Sequence, residues 1–177
     1  MNSRKTVIVI GPNGNLGINI LKELLKEYYV IGISRTATKT KICESFQNYY
    51  FPIDIDLREF NEEKLFTTIE NLLISKNTNL HGIVNNAYFG YPENPLSISK
   101  TDVINSSEGI FATQIRLILL FQNLLDRNSS IVNICSMYGK VAPKPSNYSS
   151  KNDINALLYG AMKAALVHFD NNEESLK

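Results

Sequence analysis

Tyr159 and Lys163 stand four residues apart, and Ser136 closes an apolar run 23 residues before the tyrosine. On a helix, a four-residue separation puts two side chains on one face, so a phenol and an ammonium would share one space. An ammonium beside a phenol favours the phenolate and draws its pKa down from about 10, which lets the tyrosine exchange a proton near neutral pH. Tyr-x-x-x-Lys alone is common and usually a surface pair. What decides between the two is the set of elements around it.

The first of those elements lies at the N-terminus. Thr6-Val7-Ile8-Val9-Ile10 is a short β-branched run that ends directly in Gly11-Pro12-Asn13-Gly14-Asn15-Leu16-Gly17. That order predicts strand, glycine turn, helix. Glycines let the backbone take positive φ and let a ligand approach, and the amides of the following helix's first turn form an anion site. A dinucleotide pyrophosphate fits there, although the spacing is G-x-x-G-x-x-G rather than G-x-G-x-x-G. In the helix, Leu16, Ile20, Leu21, Leu24 and Leu25 recur at helical spacing, with Lys22, Glu23, Lys26 and Glu27 opposite. The apolar face is expected to pack on a sheet.

Further strand-like runs occur at residues 30–33, 49–53, 80–84 and 130–134, separated by amphipathic stretches at 62–74 and 109–125. Continuous apolar strands alternating with helices predict an α/β protein: a Rossmann-like, doubly wound parallel sheet in a three-layer α/β/α arrangement. Ligands of such sheets sit beyond the carboxyl ends of the strands, where Gly11, Ser34, Asp54, Asn85 and Ser136 would fall.

From about Lys5 to about Phe169 the chain resembles the short-chain dehydrogenase/reductase family. The glycine turn, Asn85-Asn86-Ala87, Ser136 after its strand, and Tyr159 with Lys163 carry the resemblance. It implies that Ser136 positions the substrate oxygen and stabilises charge on it. Tyr159 exchanges the proton, and Lys163 lowers the tyrosine pKa and binds the nicotinamide ribose. It further implies cofactor contacts by Gly11, Asn13, Gly14, Asn15, Leu16 and Gly17, and by Asn86 and Ala87 along the cofactor. Asp54 either meets the adenine or is a turn or helix-cap aspartate. Hydride transfer at a carbonyl or hydroxyl carbon is the expected reaction.

Cofactor choice is argued from charge, because an acidic residue accepts from the ribose 2′-hydroxyl of NAD whereas a cation meets the 2′-phosphate of NADP. Here the second strand ends in Ser34-Arg35, and Thr36, Thr38 and Lys39 offer further partners to a phosphate. Arginine forks onto phosphate oxygens well, so NADP is expected, with NAD the other possibility and a solvated strand-end arginine the alternative role for Arg35.

The 22 residues between Ser136 and Tyr159 are more than most family members use. Ser136-Met137-Tyr138-Gly139, Val141-Ala142-Pro143, Tyr148, and Tyr88 after Asn85-Asn86-Ala87 resemble the subgroup that serves flagellin modification and surface-polysaccharide sugar synthesis. A small-molecule substrate is implied, a nucleotide sugar or amino sugar. Tyr88, Tyr138 and Tyr148 either contact that sugar or, for the two loop tyrosines, anchor the loop.

Two departures from the family pattern stand out. The long helix carries Ser106, beside Asn105, where an asparagine is usual. Only 14 residues follow Lys163, and the stretch from Asp170 is polar without helical periodicity. The expectation is a single Rossmann-like domain over residues 1–177, truncated after the catalytic helix and lacking about 60 residues of C-terminal sheet and helix. A non-catalytic or degenerate dinucleotide-binding protein is therefore the alternative to an enzyme. An extended-type sugar epimerase ranks below both, because its substrate domain is missing.

A net charge of +1 gives no electrostatic case for nucleic acid or an anionic membrane as partner, and no apolar run approaches a membrane span. No export signal is seen, and a cytoplasmic location is expected. Cys43, Cys135, His81 and His168 lack ligand spacing, read as structural, and imply no metal. Small residues on the helix near Asn155 (Gly160, Ala161, Ala164 and Ala165), together with the apolar 109–125 helix, suit a homodimer or homotetramer, as the resemblance also implies.

Overall fold

The computed structural model describes residues 4–90, 97–149 and 157–170. Five strands, β1 (Thr6–Ile10), β2 (Tyr29–Ser34), β3 (Tyr50–Asp54), β4 (Leu80–Asn85) and β5 (Leu125–Asn133), form one sheet in the order β3-β2-β1-β4-β5. The β1/β2, β1/β4 and β2/β3 pairings are parallel. The chain leaves β1 outward to β2 and β3, then returns past it to β4, the reversal that defines a doubly wound sheet. The expected α/β Rossmann-like fold is thus the observed one.

Burial explains why the strands read as unbroken apolar runs. Every residue of β1 is buried, as are all but the ends of β2 and all but His81 of β4. Val9, Ile31, Ile33 and Ile83 have no exposed surface. Each such side chain contributes about 1.5–3 kcal/mol by leaving water. Register aligns Ile10 with Ile33 and with Asn85, and Ser34 with Asp54, so these strands finish level.

Contacts divide the chain into two compact units, Met1–Ala87 with Arg116–Val132, and Tyr88–Ile115 with Asn133–Lys177. In the first, α1 (Gly17–Leu24) follows the glycine turn, and Leu21 and Leu25 supply its fully buried contacts. Leu16, expected on the same face, is 49% exposed because it sits at the helix cap, before the first full turn. Helix α2 (Glu62–Lys76) begins where Asn61 accepts from the Lys64 amide at 2.8 Å, with Glu62 and Glu63 favourable in the first turn. It ends at Asn77, which takes the left-handed conformation at φ 48°.

In the second unit, α3 (Lys100–Ser107) opens with a reciprocal capping box between Ser99 and Asp102. A π turn, Glu108–Ala112, joins it to α4 (Thr113–Phe121), which crosses into the first unit. The sequence had predicted one helix over 109–125. The helical run instead begins nine residues earlier, at Lys100; α4 closes at Phe121, a 3-10 turn continues it through Leu124, and Leu125 already belongs to β5. Helix α5 (Leu157–Asp170) carries Tyr159 and Lys163. The expected helix start near Asn155, part of the 144–153 loop and the chain beyond Asp170 lie outside the described residues.

Candidate functional site

At the carboxyl ends of β1 to β4 the first unit builds a glycine cradle. Gly11 has φ +79°, and a Cβ there would come within 2.8 Å of the Ala87 Cβ. At Gly17 a Cβ would run into the Gly11 carbonyl oxygen. Both glycines are thus demanded by close backbone packing. Gly14 is different: a Cβ there would meet nothing closer than the Gly11 oxygen at 3.7 Å. Asn86 Nδ2 donates to the Gly11 carbonyl at 2.9 Å, and the Asn86 and Ala87 amides donate to the Ile10 carbonyl at 3.1 and 3.0 Å. Asn85-Asn86-Ala87 therefore braces the turn. Helix α1 has no side-chain cap, which leaves its N-terminal dipole facing outward beside exposed Asn13, Gly14, Asn15 and Leu16.

Beyond β2, Ser34 Oγ accepts from the Thr36 amide at 3.3 Å, and Asn13 Nδ2 donates to Thr36 Oγ1 at 2.7 Å. Arg35 and Lys39 are exposed. Asp54, the last residue of β3, accepts from the Thr38 amide at 2.8 Å and the Thr38 hydroxyl at 2.5 Å. Those two bonds, the hydroxyl's first, hold the Asp54 carboxyl below the usual range. Asp56 is drawn to about 2, chiefly by its hydrogen bonds from Arg58.

In the second unit, Tyr159 and Lys163 lie on one face of α5. Lys163 is 2% exposed, and its Nζ donates to the Ile134 carbonyl at 2.5 Å, lying 5.9 Å from the Tyr159 ring centre and 5.8 Å from that of Tyr88. Burial lowers the Lys163 pKa. The Tyr88 and Tyr159 rings are 5.5 Å apart, and Tyr88 is 50% exposed. Ser136 caps a short turn, Met137–Gly139, its Oγ accepting from the Tyr138 amide at 3.2 Å. That turn fits against α5 through two glycines. A Cβ on Gly139 would come within 2.9 Å of the Lys163 backbone, and one on Gly160 within 2.9 Å of the Tyr138 carbonyl. Tyr138 and Tyr148 bond through their hydroxyls at 2.5 Å, which raises the Tyr138 pKa. Ser106, not exposed Asn105, turns inward, donating to the Gly90 carbonyl at 2.6 Å.

Sequence reasoning overlooked Asp170. Its carboxylate accepts from Asn133 Nδ2 at 2.5 Å and from Cys135 Sγ at 3.2 Å. It stands seven residues after Lys163, two helical turns along the same face, which was the available signal. Thr36 and Thr38, expected as further partners of the 2′-phosphate beside Arg35, tie the β2 turn to Asn13 and Asp54. No group of three or more metal-binding side chains occurs among the described residues, and none of their helices is long and apolar enough to cross a membrane.

The sequence matches the family described as short chain dehydrogenase over residues 5–173. No curated protein matches it. Among solved structures, the fold is similar to a short chain dehydrogenase/reductase from Saccharomyces cerevisiae (TM-score 0.76, 20% identity, 98% of this chain and 66% of that one). It is similar also to a short-chain dehydrogenase from Streptomyces avermitilis (0.77, 19%, 97% and 60%) and to ElxO, solved with NADP bound (0.70, 21%, 94% and 65%). The chain thus spans between 60% and 66% of the length of these three structures.

Proposed function

Because this chain belongs to the short chain dehydrogenase family, we propose that it serves as an NADP-dependent oxidoreductase acting at a carbonyl or hydroxyl carbon of a sugar-like small molecule. The observation that carries the reading is Lys163, an ammonium 2% exposed and beside the Tyr159 ring. Lysine is almost never buried without a purpose, because desolvation penalises its charge.

The residues present suit the dinucleotide. Gly14 is open where packing does not require glycine, and the uncapped start of α1 favours an anion, so Gly11, Asn13, Gly14, Asn15, Leu16 and Gly17 would hold the pyrophosphate. Ser34 and Arg35 would take the adenosine ribose with its 2′-phosphate, and Asn86 and Ala87 would flank the cofactor. When bound, the nicotinamide supplies or accepts the hydride. In the reducing direction, the Tyr159 hydroxyl gives its proton to the substrate oxygen, and in the oxidising direction the phenolate takes it back. Ser136 Oγ donates to that oxygen as charge develops on it. Lys163 steadies the phenolate and bonds the ribose.

Half-exposed Tyr88, next to Tyr159, supports an aromatic contact with a sugar ring, and the loop bearing Tyr138 and Tyr148 supports the flagellin and surface-polysaccharide subgroup. The apolar α4 and the small residues of α5 support a homodimer or homotetramer, and the two unpaired thiols support a cytoplasmic setting.

The test is Tyr159→Phe, assayed with NADPH against a panel of nucleotide sugars. Turnover falls by about 10²–10⁴-fold with NADPH binding retained. Turnover equal to the parent protein's overturns the proposal.

A further inference from the structure

Of the two roles the sequence leaves open for Asp54, reader of adenine or turn aspartate, its own bonds favour the second. Both of its oxygens accept from a single residue, Thr38, one from the amide and one from the hydroxyl. Thr38 is the middle of the short 3-10 turn Ala37–Lys39, which is separated from Arg35 by Thr36 alone. The same turn is held from β3 a second time, where the Tyr50 hydroxyl donates to the Ala37 carbonyl at 3.1 Å. Asn13 binds Thr36 just before it. Ala37 is fully buried, whereas Arg35 and Lys39 on either side are exposed. A short turn pinned at its centre, with exposed cations flanking it, is the geometry of a preorganised anion clamp.

We infer that Asp54 is a positioning residue for cofactor choice: by gripping Thr38 it fixes the Arg35–Lys39 turn in the conformation that meets the adenosine 2′-phosphate. The inference rests on the NADP reading above and deepens it. Two donors from Thr38 direct the lone pairs of the Asp54 carboxylate into the turn. The geometry predicts an asymmetric effect. Loosening the turn weakens binding only of the cofactor that carries the 2′-phosphate, whereas losing an adenine contact weakens both cofactors alike.

NADPH and NADH are titrated by fluorescence into the parent protein and into Asp54→Asn, Thr38→Val, Thr38→Ser and the Asp54→Asn/Thr38→Val pair. Both single changes are expected to lower the NADPH-to-NADH affinity ratio by about fivefold, with the pair no worse than either, because the two residues act as one unit. Thr38→Ser keeps both donors and keeps the ratio. If Asp54→Asn does not fold, Thr38→Val and Thr38→Ser carry the comparison. Equal weakening of both cofactors in Asp54→Asn with Thr38→Val silent overturns the inference and leaves the NADP reading standing. A parent protein that binds neither cofactor, or prefers NADH, overturns that reading and the inference with it.

Discussion

Asn133 donates to the Asp170 carboxylate at 2.5 Å, and that one bond ties the end of β5 to the end of α5. Two further bonds follow in the next two residues. The Ile134 carbonyl accepts from Lys163, and the Cys135 thiol donates to the other Asp170 oxygen. Three consecutive residues are thus stitched to one helix face immediately before Ser136. The serine's approach is set by this seam together with the glycine contacts on its far side.

The seam makes the two cysteines chemically unlike. Burial, with Asp170 second, pushes the Cys135 thiol from 9.0 to about 11, while the Ser45 hydroxyl lowers exposed Cys43. Alkylation near pH 8, followed by peptide mass spectrometry, should label Cys43 first and leave Cys135 behind by roughly 100-fold or more, following the thiolate fraction. Asp170→Asn should speed labelling of Cys135. Similar rates at both thiols in the parent protein would refute the seam.

Gly11, Gly14 and Gly17 should separate under substitution by alanine. Gly11→Ala meets both a positive φ and the Ala87 side chain, and should lose about 1–3 kcal/mol of stability. Gly17→Ala drives a methyl into the Gly11 carbonyl and should cost at least as much. Gly14→Ala meets only ordinary contacts, so its denaturation midpoint should match or slightly exceed the parent's while dinucleotide affinity falls. A clear loss of stability in Gly14→Ala would assign that glycine to the fold instead.

Lys163 should behave as a residue kept at a cost to the fold. Its pKa is lowered by burial, so the penalty for its charge is full below the folded value and is relieved as pH rises through that value toward the unfolded value of about 10.4. Lys163→Met should therefore melt within about 2 °C of the parent or above it at pH 7, with its advantage shrinking by pH 10. Its turnover should be lost. A large loss of melting temperature at pH 7 would make the ammonium a structural support.

At the other end of the sheet, Lys5 Nζ lies 3.1 Å from Asp126 Oδ2 and 3.0 Å from His81 Nδ1, and that nitrogen is itself 3.1 Å from the same carboxylate oxygen. Burial alone would raise the Asp126 pKa, but the bonds from Lys5 and His81 outweigh it and leave the carboxyl lowered. The stability it contributes is complete above about pH 4 and is lost as pH falls through the depressed value. Asp126→Asn should lower the melting temperature by about 3 °C at pH 7, with the difference closing in stronger acid. A gap that persists at pH 2 would refute the ion-pair account.

What was legible in the chain follows from what burial writes into sequence. β1 was read to the residue and β2 to β4 to within a residue or so, because strands covered on both faces must be apolar throughout. β5 was read late, at 130 rather than 125, because its half-exposed start, Leu125-Asp126-Arg127-Asn128, has no strand composition. α3 was missed because its faces are mostly polar, though Ser99 and Asp102 wrote its capping box in plain view. The chemistry-bearing types were legible from spacing. Their supports, Thr38 under Asp54 and Asp170 under Asn133 and Cys135, were not, since ordinary polar residues acquire such roles only when the fold brings distant segments together.

The contact between Gly160 and the Tyr138 carbonyl changes how Tyr-x-x-x-Lys should be read as a pattern of tolerance. Its three middle letters are written as interchangeable, yet a methyl at the first would come 2.9 Å from a backbone oxygen of the turn after Ser136. Ala161 is exposed and Met162 half-exposed, so neither meets that wall. In a saturation library, position 161 should accept most residues and position 160 almost none but glycine. The one apparently silent letter beside the tyrosine is where the loop and the helix record their distance from each other.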